Sequence, residues 1–223
     1  MNKYLTRNKC YDRLPPAKDA KKVYIYCEGE DTEYCYFEYF QELSSNISII
    51  PIKNIKGKSD PLKLLEHARE DFLVKGCPFI LDRDLNDEIW FVIDTDKWNC
   101  GDKINSLRKF CDEQNDGKYS AWKVAQSNPC FEIWQYYHVY ANRPCEKDVN
   151  NCSTFKEFVN KSIPGGFDNR KKPVLIEAAI NNSKTNFTMK NGQPEKYSTE
   201  VYLLGEVIYS FTKDIILNSL KFV

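Results

Sequence analysis

The stretch EIWFVIDTDKW, from Glu88 to Trp98, joins an apolar run to two acids. The segment from Ile89 to Asp94 has the length and the β-favouring residues of a buried strand. Asp94 and Asp96 stand at its exit with one residue between them. Ligands of a parallel sheet gather outside the carboxyl ends of its strands, so this stretch raises the question of what the two acids bind.

Strand and helix patterns alternate on both sides of this stretch. Strands are predicted at 23–27 and 47–53 before it and at 119–127 after it, with amphipathic helical segments between them. One helix has a clear start, because Asp60 is a favoured cap and Pro61 suits the first helical position. This order predicts an α/β protein with a mainly parallel sheet of about four strands flanked by helices.

From about residue 129 the pattern predicts helices only. They are expected at 129–140, after Ser153 or Thr154, at 173–182 and at 198–220. Ser127 and Asn128 are expected to cap the first of these helices, and Thr154 has Glu157 at capping-box spacing. Residues 21–223 are therefore predicted to form a single domain with a helical C-terminal part.

Residues 1–20 are basic and polar, which predicts a loosely ordered arm or, alternatively, an arm that touches phosphates.

Composition narrows the class of protein. Lys and Arg together number 32, as do Asp and Glu, so no overall basic field predicts nucleic-acid binding and any such contact needs a local patch. No apolar run approaches the roughly 18 residues of a membrane span, and the N-terminus lacks the apolar stretch of a secretory signal. The nine cysteines include no CxxC pair, which favours reduced thiols in a cytoplasmic protein over a zinc site.

Acids follow two of the predicted strands. Glu28 ends the first strand and is followed by Gly29, while Asp94 and Asp96 end the third. If these strands are neighbours, about 4.8 Å apart, the carboxylates point into one small volume and raise one another's pKa unless a cation compensates. Mg²⁺, or Mn²⁺, prefers such oxygen ligands, so Glu28, Asp94 and Asp96 are candidate metal ligands and catalytic residues. The alternative is that they are solvated loop acids.

Two further acids are candidate metal ligands. Glu33 lies near the start of the first predicted helix, where a carboxylate either favours the helix dipole or binds a metal. Glu132 lies among Phe131, Ile133 and Trp134, and a carboxylate among aromatic residues needs a partner. That partner would be a second metal or a Lys or Arg.

Lysines near the same sheet edge are candidates for phosphate contact. Lys53, Lys56 and Lys58 are predicted to bind a nucleic-acid backbone, although solvated loop lysines would look the same. Lys97 follows the two aspartates directly and is a candidate for stabilising a phosphorane-like transition state. The chain has no Walker A motif and no GxGxxG, so it is not expected to bind ATP or a dinucleotide by those loops.

The chain resembles the RloB-like family over roughly residues 20–210. The resemblance is carried, in order, by CEGEDTEYCYF, GKSDPLKLLEHA, IWFVIDTDKW, SNPCFEIWQYYH and STEVYLLGEVI. This family is similar to the Toprim superfamily, in which a glutamate ends the first strand and a DxD ends a later one. The resemblance therefore implies a Toprim-like fold and the same roles for Glu28, Asp94 and Asp96. It also implies, from OLD-type nucleases, that Glu33 and Glu132 bind a second metal.

The resemblance carries functional expectations as well. The family is named for restriction-modification loci, includes abortive-infection proteins and is often encoded beside an ATPase. It implies a Mg²⁺-dependent nuclease that cuts DNA or RNA in antiphage defence, with the neighbouring ATPase as a partner. Two alternatives stay open: a non-catalytic sensor or regulatory subunit of such an ATPase complex, and a nucleotidyl transferase.

Overall fold

A computed structural model of the protein describes residues 14–54, 60–95 and 102–220. Their helices and strands are, in chain order, β1 (Lys21–Cys27), α1 (Thr32–Glu38), β2 (Ile47–Ile52), α2 (Pro61–Phe72), β3 (Glu88–Asp94), α3 (Lys103–Gln114), β4 (Trp122–Asn128), α4 (Glu132–Tyr137), α5 (Glu146–Val149), α6 (Phe155–Ser162), a 3-10 helix (Lys172–Leu175), α7 (Ile176–Asn186), β5 (Met189–Lys190), β6 (Gln193–Pro194), β7 (Ser198–Thr199) and α8 (Val201–Leu220).

The main sheet has the strand order β2-β1-β3-β4-β7. β1 is parallel to both β2 and β3, whereas β7 is antiparallel to β4. The predicted class, an α/β protein with a mainly parallel sheet and a helical C-terminal part, is confirmed and is consistent with a Toprim-like fold. β7 adds a fifth strand at Ser198–Thr199, where the sequence predicted the start of the last helix, which begins at Val201 instead. Two residues are too few to show a strand periodicity.

The burial of the strands explains their sequences. Every residue of β3 is buried, as are the last five of β1, whereas β2 at the sheet edge alternates between buried and partly exposed residues. Strands covered on both faces need continuous apolar runs, and an edge strand does not. The run IWFVI is therefore apolar throughout because β3 is a central strand.

The described chain divides into two compact units. Residues 14–54, 60–93 and 102–125 form the first, which we name the strand-rich unit. Its core joins the strands to α2 and α3 and includes Tyr24, Leu64, Phe91, Leu107 and Trp122. The helix α2 begins as predicted, since Pro61 is its first residue and the Asp60 side chain accepts a hydrogen bond from Leu62 N.

Residues 94–95 and 126–220 form the second, helical unit. In it α7 packs against both α4 and α8. The packing is close at Gly205, where a Cβ atom would lie 3.0 Å from Trp134 Cη2 and 3.1 Å from Ile180 Cγ1. Glycine therefore allows the second turn of α8 to approach its neighbours, at some cost in helix propensity.

The helix predicted at 129–140 is shorter than expected and spans Glu132–Tyr137. Ser127 and Asn128 do not cap it, because both are used elsewhere in the helical unit. The Ser127 hydroxyl pairs with Thr199 of β7, and the Asn128 amide donates to a carbonyl of β6. Tertiary contacts have thus replaced the local capping that the sequence suggested.

None of the helices in the described ranges is both long and apolar enough to cross a membrane. The sequence-based division into a basic arm and one domain from residue 21 stays a prediction.

Candidate functional site

In the strand-rich unit, Glu28 follows β1 directly and is buried. Its backbone N–H donates to Val92 O of β3 at 3.0 Å, and its carbonyl accepts from Asn54 Nδ2 at 2.6 Å. These two bonds fix the backbone at the predicted metal ligand by tying it to β3 and to the segment after β2.

Glu33 lies in the first turn of α1 and is also buried. Its carboxylate covers Gly29 so closely that a Cβ atom there would lie 2.0 Å from Glu33 Oε2. Any side chain at position 29 would therefore displace this carboxylate from its present position, which the sequence alone did not show. Burial and then the charge of Glu33 raise the pKa of the nearby Cys27 thiol.

Lys53 belongs to the same unit. Its Nζ lies 3.4 Å from Asp31 Oδ1 and 5.6 Å from the centre of the Tyr34 ring, and the side chain is 59% exposed. It can therefore reach a phosphate from beside the start of α1. The predicted roles of Lys56, Lys58, Asp96 and Lys97 stay predictions, because these four residues lie outside the described ones.

In the helical unit, Asp94 ends β3 and is buried. Its Oδ1 accepts a hydrogen bond from Phe131 N at 2.8 Å. Because Phe131 is the cap residue of α4, this bond fixes the start of that helix at the carboxylate. The next residue along the chain is Glu132.

Glu132 is buried, and the cation beside it is Lys156 of α6, whose Nζ lies 3.3 Å from Glu132 Oε1. Its other oxygen, Oε2, is buried with no hydrogen-bond partner among the described residues. The sequence predicted that this carboxylate needs a metal, a Lys or an Arg. It did not identify Lys156, because the two residues are 24 positions apart in different helices.

The charges of Asp94 and Glu132 shift the pKa values of the same two side chains, Lys156 and Cys130. Partial burial lowers the pKa of Lys156, but the charges of Glu132 and Asp94 outweigh it and raise this pKa. Burial, followed by the charges of Glu132 and Asp94, raises the pKa of the Cys130 thiol. We name Asp94, Cys130, Glu132 and Lys156 the carboxylate cluster.

A buried polar network holds the chain where it leaves Asp94. Thr95 N donates to Ser127 O at 2.9 Å and to Pro129 O at 3.1 Å. The Thr95 hydroxyl donates to Ser127 O at 2.8 Å and accepts from Gln126 Nε2 at 2.7 Å. These bonds fix the backbone at Thr95, the residue that directly follows Asp94.

The donor chemistry of the cluster fits a hard divalent cation, since Asp94 and Glu132 provide carboxylate oxygens and Glu132 Oε2 is an unsatisfied buried acceptor. Across residues 14–54, 60–95 and 102–220, however, no three His, Cys, Asp or Glu side chains are grouped so that they could hold a metal ion. The convergence of Glu28, Asp94 and Asp96 on one metal therefore stays a prediction.

The fold and these residues define an α/β protein with a mainly parallel sheet and buried carboxylates after β1 and at the end of β3. The sequence profile of RloB-like protein matches residues 23–208. The chain therefore belongs to the RloB-like protein family, which confirms the resemblance seen in its motifs. Comparison with curated proteins and with solved structures gave no match.

Proposed function

We propose that the chain is a Mg²⁺-dependent nuclease that acts in antiphage defence. The observation that carries this proposal is the carboxylate cluster, in which two buried acids share one lysine and one acid oxygen has no hydrogen-bond partner among the described residues. A carboxylate that is buried and incompletely satisfied destabilises a protein, which favours a functional reason for its presence.

The chain's own residues have separate roles in this proposal. Asp94 and Glu132, with Asp96, would hold the metal, and Glu28 and Glu33 are the further candidate ligands. When bound, Mg²⁺ supplies an activated water and neutralises charge on the scissile phosphate. The hydrogen bond from Phe131 N orients the Asp94 carboxylate.

The proposed substrate is DNA or RNA, and the proposed partner is the ATPase of a neighbouring gene. The exposed Lys53 supports contact with a phosphate backbone, a role that Lys56 and Lys58 would share, while Lys97 would act nearer the scissile phosphate. An ATPase partner would supply the nucleotide site that the sequence lacks.

The test is cleavage by the purified chain, with and without that ATPase. Plasmid DNA, single-stranded DNA, tRNA and total RNA are incubated with Mg²⁺ or Mn²⁺ and compared with metal-free samples. We expect Asp94→Asn and Asp96→Asn to lose more than about 100-fold in rate, because even residues behind metal ligands typically contribute 10- to 100-fold.

Asp168→Asn is the matched control, since this acid lies in the same unit but pairs with Arg170 and Lys171. Cleavage by both active-site variants at the parent rate would contradict the proposal.

A non-catalytic regulatory subunit is the second candidate, favoured by the helix α8. Leu203 of this helix is 37% exposed, and Val207 and Phe211, one and two turns further on, are partly exposed. An apolar helix is normally covered on such a face, so α8 could dock onto the ATPase. Calorimetry of the isolated chain with Mg²⁺ or Mn²⁺ separates the candidates, since heat of binding is expected only for the nuclease.

A further inference from the structure

We propose that Lys156 is a displaceable counter-cation of Glu132, and that a divalent cation binds by taking its place. This inference rests on the proposed metal-dependent function and concerns how the same site is regulated. The ion pair would keep the site occupied until the concentration of Mg²⁺ is high enough to outcompete the lysine.

The two partners of this ion pair differ strongly in exposure. The Glu132 side chain is 10% exposed, whereas that of Lys156 is 61% exposed. An ammonium group on an exposed, flexible stem is solvated by water once it leaves its partner, while the buried carboxylate is not. Lys156 is therefore the partner that can leave, and Glu132 is the partner that must be compensated.

The geometry of the pair is also looser than that of its neighbour on the same helix. Lys156 Nζ lies 3.3 Å from Glu132 Oε1, while Lys161 Nζ lies 2.6 Å from Glu157 Oε1. The other oxygen of Glu132, Oε2, has no hydrogen-bond partner in the described part of the chain. A divalent cation carries twice the charge and prefers carboxylate oxygens, so it can compensate Glu132 more fully than the lysine does.

Electrostatic repulsion would add to the competition between a bound metal and the Lys156 ammonium. Lys156 interacts with the negative charge of Asp94 as well as with that of Glu132, so a metal bound at these acids and the ammonium would repel each other. Removing the ammonium should therefore tighten metal binding. It should also destabilise the metal-free chain, because Glu132 loses its cation.

The first measurement is calorimetric titration of the full chain with Mn²⁺ alone. We expect Lys156→Met to bind Mn²⁺ about two- to fivefold more tightly than the parent, the size of effect that an ion pair with an exposed lysine supports. Lys161→Met is the matched control, since it removes the neighbouring lysine from the same helix, and its affinity should equal that of the parent. Lys156→Gln should behave like Lys156→Met.

The second measurement is thermal unfolding without nucleic acid. Lys156→Met should unfold at a lower temperature than the parent in the absence of metal and should gain more from saturating Mn²⁺. If the parent binds Mn²⁺ and Lys156→Met binds it equally or more weakly, the inference is wrong and the nuclease proposal stands. If neither chain binds Mn²⁺, the metal site itself is contradicted, and this inference with it.

Discussion

Two buried glutamates of this protein are compensated in different ways. Glu88, the first residue of β3, has each of its oxygens satisfied. Its Oε1 accepts from Lys21 Nζ and from Lys123 Nζ, both at 2.8 Å, and its Oε2 accepts from Trp90 Nε1 at 2.8 Å. Glu132 has one lysine at 3.3 Å and a second oxygen with no hydrogen-bond partner among the described residues.

The difference separates a structural ion cluster from a site that can exchange its cation. The lysines of Glu88 are 13% and 28% exposed, so they are held by the fold and have little access to water. A network in which every member is satisfied rigidifies a protein, whereas a partly satisfied one costs stability and is typical of functional sites. The loss of its charge should therefore cost much more stability at Glu88 than at Glu132.

The largest effect is expected for Glu88→Gln. Removing this charge leaves Lys21 and Lys123 facing each other without compensation, which should cost about 3 kcal/mol of unfolding free energy. Urea denaturation followed by circular dichroism measures it. Glu113→Gln is the control in the same unit, because its pair with Lys109 is exposed and should be worth less than about 0.5 kcal/mol. Equal losses of unfolding free energy in the two variants would show that Glu88 has no special structural role.

The contribution of the Glu88 charge to the free energy of unfolding should depend on pH. Burial raises the pKa of Glu88, but hydrogen bonds from Lys123 and Lys21 outweigh it and hold this pKa below its ordinary value of 4.5. The group therefore stabilises the fold above its unfolded pKa, and this contribution is lost as the pH falls through the lower folded pKa.

The parent should accordingly be more stable to unfolding than Glu88→Gln at about pH 5, and this difference in unfolding free energy should shrink on acidification to about pH 3. Urea denaturation of both proteins across this range measures it, and a constant difference between them would contradict the assignment.

The smallest effect is expected for Glu132→Gln, below about 1 kcal/mol of unfolding free energy in either direction. The substitution removes a poorly compensated buried charge, and the exposed ammonium of Lys156 can turn to water. Thermal and urea unfolding without metal measure it. A loss as large as that of Glu88→Gln would mean that Glu132 is structural and would end the distinction between the two glutamates.

Local signals predicted much of the fold. The apolar runs of β1 and β3 could be read directly, because central strands need them. Asp60 and Pro61 gave the start of α2, and Thr154 caps α6 by accepting from Glu157 N. In each case the interacting residues are within a few positions of one another, so their spacing carries the information.

The charge partners of the candidate site could not be predicted in this way. The sequence indicated that Glu132 needs a cation but offered 32 basic residues, and only the packing of α6 selects Lys156. In the same way Gly29 is compatible with an ordinary turn, and only the position of the Glu33 carboxylate shows that a side chain there would displace it.

The sequence by itself determined the α/β class and the position of acids at the ends of β1 and β3, because strand periodicity and strand ends are local properties. The tertiary structure decided which charges meet. Glu88 is 67 positions from Lys21 and 35 from Lys123, and Glu132 is 24 from Lys156. Coulomb interactions depend on distance in space, which the folded chain sets and which the spacing of residues along the sequence does not show.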